Sequence, residues 1–84
     1  MTKMLNVTIN TDGTDQEKGK TWAEELANVY ADMEISDVKV SGDSISFKAG
    51  FSGMDDTEAD DIQMKIEEYA SMNEAFKVKN LSVS

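Results

Sequence analysis

Asp37-Val38-Lys39-Val40-Ser41-Gly42-Asp43-Ser44-Ile45-Ser46-Phe47-Lys48 decides how this chain folds. Two runs alternate apolar and polar residues with the period of a half-buried strand, and Gly42-Asp43 separates them. Glycine in the first place of a two-residue loop suits a type II′ turn, which needs a positive φ there. The register set by that turn pairs Val40 with Ile45 and Val38 with Phe47 on one face. Asp37 then stands opposite Lys48 on the other face, an attractive cross-strand pair. The middle of the sequence is therefore a β-hairpin with one apolar side.

Upstream, Leu5, Val7 and Ile9 alternate with Asn6, Thr8 and Asn10, a second half-buried strand that Asp12-Gly13 ends. Trp22, Leu26, Val29, Tyr30 and Met33 then recur at helical spacing and predict one buried helical face. Thr14 with Glu17 and Thr21 with Glu24 both fit a capping box, in which each side chain bonds the other residue's backbone amide. The earlier start is preferred, because it places Gly19 on the buried face, where it permits close packing. Downstream, the stretch from Gly50 to Gly53 ends the hairpin. A second helix is expected to begin near Asp55 or Asp56, with Ala59, Ile62, Ile66 and Tyr69 as its apolar stripe and Asn73 at its close. Ala75-Phe76-Lys77-Val78-Lys79 opens a last strand. Phe76 and Val78 share one phase while Leu81 and Val83 share the other, so a bulge is expected near Lys79-Asn80.

Strand, helix, strand, strand, helix, strand is the split βαβ order of ferredoxin-like domains. The expected class is α+β, βαββαβ, with a four-stranded antiparallel sheet and two helices on one face. Eighty-four residues leave room for one core, so residues 1–84 are read as a single domain. Cysteine is absent, which excludes disulfides and fits a reducing compartment. The alternating stretch from Met1 to Asn10 lacks the unbroken apolar run of a secretory signal. No stretch approaches the ~20 apolar residues of a membrane span. A soluble, cytoplasmic protein is expected.

Composition narrows function further. Seventeen acidic residues face eight lysines, giving a formal net charge of −9, and histidine, proline and arginine are all missing. Without histidine no side chain titrates near neutrality unperturbed, and without cysteine there is no ready thiolate. Serine, threonine, lysine or a carboxylate pair would need a cleft to shift its pKa. The chain is therefore read as a binding protein and not an enzyme, with no catalytic residue, cofactor or metal assigned. Zinc lacks its thiolate and imidazole ligands. Calcium loops fail at the alternate positions: Thr57 and Ala59 follow Asp55, and Thr14 and Gln16 follow Asp12. Weak screening by divalent cations is all that remains.

Negative charge disfavours direct contact with nucleic acid or an acidic membrane. The missing arginine fork, the usual bidentate grip on phosphate and guanine, points the same way, although lysine-only usage also follows from a low-GC genome. RNA-recognition sheets stack bases on exposed aromatics. Here Phe47 and Phe51 fall in the core phase with Ile45, and the outward phase reads Asp37, Lys39, Ser44, Ser46 and Lys48.

The strongest functional signal is the burst Asp55-Asp56-Thr57-Glu58-Ala59-Asp60-Asp61. Carboxylates in a first helical turn complement the partial positive charge there, which accounts for Asp55, Asp56 and Glu58. Asp60, Asp61, Glu67 and Glu68 lie further along and flank Met64 three or four residues away on either side. Glu17, Glu24, Glu25 and Asp32 add to the same side from the first helix. Spaced carboxylates on one surface resemble phosphates along a nucleic-acid backbone. Met64, with Met54 and Met72, supplies an adaptable apolar anchor. The plainer account is a solvated acidic face that prevents aggregation. Trp22 begins the apolar face of the first helix and is read as core before contact residue.

The partner-binding set is accordingly Glu24, Glu25, Asp32, Asp56, Asp60, Asp61, Met64, Glu67 and Glu68. The expected partner is a protein with a basic, nucleic-acid-binding surface, met by a monomer of this chain. Size, acidic face and missing catalytic residues together resemble the general profile of small phage-encoded inhibitors, including anti-CRISPR and anti-restriction proteins. That resemblance is one of profile and covers no motif. The alternative is a small assembly protein that homo-oligomerises through a sheet edge or the open face bearing Lys39, Lys48, Lys77 and Lys79.

Overall fold

The computed structural model describes residues 2–13, 15–72 and 77–84. Six elements follow one another: β1 (Leu5–Thr11), α1 (Gln16–Val29), β2 (Met33–Ser41), β3 (Ser44–Phe51), α2 (Ala59–Met72) and β4 (Val78–Val83). The strands form one antiparallel sheet in the order β2-β3-β1-β4. With its two helices this is the ferredoxin-like α+β topology expected from the element order. Val7, Ile9, Ile45, Phe47 and Ala49 supply the sheet's share of the core; Trp22, Ala23, Leu26, Ile62, Ile66 and Tyr69 supply the helices'. No helix among the described residues is long and apolar enough to cross a membrane.

The hairpin turn forms as its sequence dictates. Gly42 has φ of 59° while Asp43 keeps a negative φ, the signature of type II′. Val40 pairs with Ile45 and Ser41 with Ser44. The expected pairing of Val38 with Phe47 does not form. Ser36 pairs with Lys48 and Lys39 with Ser46, so Asp37 and Val38 together span a single position of β3. This is a β-bulge, and Asp37 takes the positive φ of 54° within it. The cause is a change of phase. Met33 and Ile35 are odd-numbered while Val38 and Val40 are even, and only an inserted residue lets both pairs face the core. Asp37 still meets Lys48, with Oδ2 3.6 Å from Nζ, an exposed pair worth about 0.2–1 kcal/mol.

The bulge expected near Lys79 is present. Asn10 pairs with Asn80 and Thr11 with Val78, which leaves Lys79 unopposed. The expected opening of this strand at Ala75-Phe76 and the helix end at Asn73 lie outside the described residues, as does the capping role of Thr14.

The start of α1 follows the earlier of the two expected starts, while its end and the start of α2 differ from expectation. α1 begins at Gln16 after an extended Asp15, which makes no side-chain cap, and Thr21 lies well inside it, so the later start is excluded. Gly19 is buried as anticipated: a Cβ there would stand 3.1 Å from a Val40 methyl, so α1 rests directly on β2. Met33 is not helical. Tyr30 leaves helical geometry at φ −111° and ψ 96°, and Met33 opens β2, buried and paired with Phe51. Val29 is exposed too, because the buried face centres on Gly19, Trp22, Ala23 and Leu26 and leaves Val29 on its shoulder.

α2 starts at Ala59 rather than Asp55 or Asp56. The Glu58 carbonyl accepts from the amides of Asp61 (3.1 Å) and Ile62 (3.4 Å), closing the first turn. Thr57 explains the delay. At 100° per residue a helix extended back from Ile62 would turn Thr57 outward, yet Thr57 is almost wholly buried. Burying it requires a non-helical approach.

Hydrogen bonds lock the ends of the sheet. The Thr11 hydroxyl donates to the Asp43 carbonyl (3.2 Å) and accepts from the Gly13 amide (3.1 Å). Glu34 Oε2 accepts from the hydroxyls of Thr2 (2.6 Å) and Ser52 (2.9 Å), which holds its carboxyl below the usual range.

Candidate acidic interaction face

The two helices meet through a seam of aromatic rings. Trp22 and Tyr69 have ring centroids 4.9 Å apart, and the Tyr69 hydroxyl donates to the Trp22 carbonyl at 2.8 Å. Tyr30 stands edge-on to Tyr69 at 6.5 Å, and Lys65 Nζ lies 5.1 Å from the centre of the Tyr30 ring. Trp22 is thus a core residue, and the helices lie side by side.

Acidic side chains flank this seam from both helices. Burial pushes the Tyr69 phenol up to about 12, and the charge of Glu25 adds to the shift. Burial likewise raises Tyr30, with the charge of Glu68 second. The Tyr30 hydroxyl is enclosed beside Glu68 without a hydrogen bond of good geometry among the described residues. Glu25 of α1 and Glu68 of α2 therefore act on the same aromatic pair. Both carboxylates are exposed, one on each helix.

All nine candidate partner-binding residues are exposed. Met64 stands out, with 68 % of its surface open to solvent. The structure gathers Asp60, Asp61, Met64, Glu67 and Glu68 on α2 and Glu24 and Glu25 on α1. Asp32 lies in the turn between α1 and β2, and Asp56 in the segment leading into α2, so neither belongs to a helical face.

Two details change the weighting. Asp60 and Asp61 occupy the first turn of α2 and Glu58 precedes it directly, so the helix dipole accounts for these three and not for Asp55 and Asp56. Glu67 and Glu68 point to opposite flanks of α2. Glu67 accepts from the Gln63 side chain at 3.1 Å on the β4 side, while Glu68 faces α1. Among the described residues no ion pair neutralises Glu24, Glu25, Asp60, Asp61, Glu67 or Glu68. Lys65, which the sequence left unremarked, sits between them and directs its charge at the Tyr30 ring. Its only sequence signal was its place four residues after Asp61 and three before Glu68, ordinary for a surface helix.

The open face of the sheet differs in character. Asn6, Thr8, Ser46, Asp37, Lys39 and Lys48 line a shallow groove of about 410 Å³ there. Phe47 and Phe51 are buried on the opposite side, so the stacking platform of RNA-recognition sheets is missing among the described residues. No group of three or more carboxylates among the described residues is placed to hold a metal ion.

The fold and this face define a small acidic α+β domain with a charged helical layer. Comparison with protein-family models, with curated proteins and with solved structures finds no match.

Proposed function

We propose that this protein binds and inhibits a protein with a basic, nucleic-acid-handling surface, presenting its helical layer as a mimic of the phosphate backbone. The observation that carries this reading is the exposure of Met64 amid carboxylates that no lysine pairs among the described residues. Unpaired carboxylates close together repel one another by a few tenths of a kcal/mol per pair, a cost that a cationic partner would reverse. An exposed methionine at the centre of a charged patch adds contact area that charge alone lacks. Such an inhibitor needs no catalytic group. The phage anti-defence proteins that fit this profile, against CRISPR or restriction enzymes, are the class in which the partner is to be sought.

The test is affinity capture from a bacterial lysate, with partners identified by mass spectrometry. The wild-type chain is compared with Asp60→Lys, Asp61→Lys, Glu67→Lys, Glu68→Lys together. Capture of a nucleic-acid enzyme should be abolished by the quadruple variant while its circular dichroism stays that of the wild type. Because the two aspartates also serve the helix dipole, Glu67→Lys with Glu68→Lys alone separates contact from stability. Unchanged capture by both variants would sink the proposal.

A further inference from the structure

A second surface lies on the other flank of α2, where the sheet ends in β4. The backbone bonds between β1 and β4 fix which groups of β4 are spent. Asn6 and Ser84 exchange both of their bonds, each 2.8 Å, and pairing then alternates along an antiparallel ladder. Ser82 and Asn80 therefore bond toward β1 through Thr8 and Asn10, whereas Leu81 and Val83 direct their N–H and C=O groups to the free side. Among the described residues no strand flanks β4 on that side.

The two sheet edges are not treated alike. β2, the other edge, carries the Asp37 bulge with its positive φ and the charges of Glu34 and Lys39, devices that discourage strand addition. β4 has its bulge and the charge of Lys79 near its start, and residues 80–83 beyond them have no charge, no proline and no bulge. Above them a groove of about 410 Å³ opens between β4 and α2. Ile9, Trp22, Ile66 and Leu81 give it an apolar floor, and Ala70 makes its helical wall low. Glu67 and Gln63 form its upper rim.

We infer that this edge and groove take an extended peptide segment of a partner protein as a fifth strand, with alternate apolar side chains in the groove and a basic side chain beside Glu67. Unpaired N–H and C=O groups on alternate residues specify an extended backbone rather than a helix or a small molecule. The groove lies beside that edge and on the core side of the sheet, where every second side chain of an added strand would point. Charge selects the peptide: Glu67 borders the groove on the helix and Lys79 on the strand, and the molecule carries −9 overall, so a lysine or arginine is favoured beside Glu67 and strongly acidic segments are repelled. This site shares Glu67 with the mimicry proposal but none of the seam-side carboxylates, and its readout at the backbone of Leu81 and Val83 stands whether or not that proposal holds.

The probe is a capped six-residue peptide alternating lysine with valine, titrated into uniformly ¹⁵N-labelled protein. The amide signals of Leu81 and Val83 should shift together with Gln63 and Ala70, and hydrogen exchange at Leu81 and Val83 should slow roughly tenfold at saturation. N-methylation of alternate peptide amides, which removes the ladder donors but keeps charge and side chains, should weaken binding about tenfold or more. Ala70→Lys, which fills the groove from its half-buried helical wall, should do the same. Shifts spread over the acidic helical face, or equal binding by the N-methylated peptide, would overturn the inference, since both mean attraction by charge alone. Slow exchange at Leu81 and Val83 without peptide, with a mass that doubles on concentration, would overturn it too by making the occupant a second copy.

Discussion

Thr57 shows how one side chain sets a boundary. It is buried to within 1 % of full enclosure, and its hydroxyl finds no hydrogen-bond partner among the described residues. An enclosed hydroxyl without a partner costs about 1–3 kcal/mol, and valine keeps the shape without the polar atom. Thr57→Val should therefore raise the midpoint of thermal unfolding; a fall would mean that the hydroxyl is satisfied in solution. Tyr69 makes a pH-dependent contribution of known sign. Its phenol is raised from 10.0 to about 12 in the folded chain, so the unfolded chain releases that proton first as pH climbs. The contribution is whole below pH 10 and is lost between pH 10 and about 12. Denaturant midpoints measured across that window should fall for the wild type and fall less steeply for Tyr69→Phe. Neither effect could be read from the sequence. Thr57 sat inside an acidic run that looked helical, and Tyr69 was legible only as one member of an apolar stripe.

Among the elements, turns and periods were legible and ends were not. Gly42-Asp43 and the phase change in β4 each implied their geometry directly. The same phase change exists in β2, between Met33 with Ile35 and Val38 with Val40, and it implied the Asp37 bulge equally well. Met33 masks it, because the same residue also fits the helical spacing set by Trp22, Leu26 and Tyr30. Where two periods claim one residue, the chain's exit from the helix at Tyr30 decides, and that exit depends on packing. The acidic burst was misallocated for a related reason. Composition marks a helix start to within a few residues, while Thr57 fixes it. Asp60→Asn with Asp61→Asn should accordingly lower stability by about 0.3–1 kcal/mol per residue, measured by urea unfolding. Asp55→Asn with Asp56→Asn, ahead of the helix, should leave it nearly unchanged.

For the whole molecule the decisive quantity is the field of the helical layer. Carboxylates on two helices reinforce one another only when the helices are neighbours, and the Trp22–Tyr69 contact makes them so. Interaction through such a field weakens as salt shortens the screening length from about 10 Å at 0.1 M toward 3 Å at 1 M. Partner capture should fall steeply over that range while the free protein stays monomeric by light scattering. Salt-insensitive capture, or a mass that grows with concentration, would favour assembly over mimicry. The amino-acid order alone determined the class of fold, the hairpin turn, the sidedness of β1 and β3 and the surplus of negative charge, because alternation and turn chemistry act between near neighbours. Only the tertiary structure decided where the helices begin and end, which carboxylates share a surface and which sheet edge stays open. Those depend on contacts between residues far apart in the chain, such as the Tyr69 hydroxyl on the Trp22 carbonyl, which no local pattern encodes.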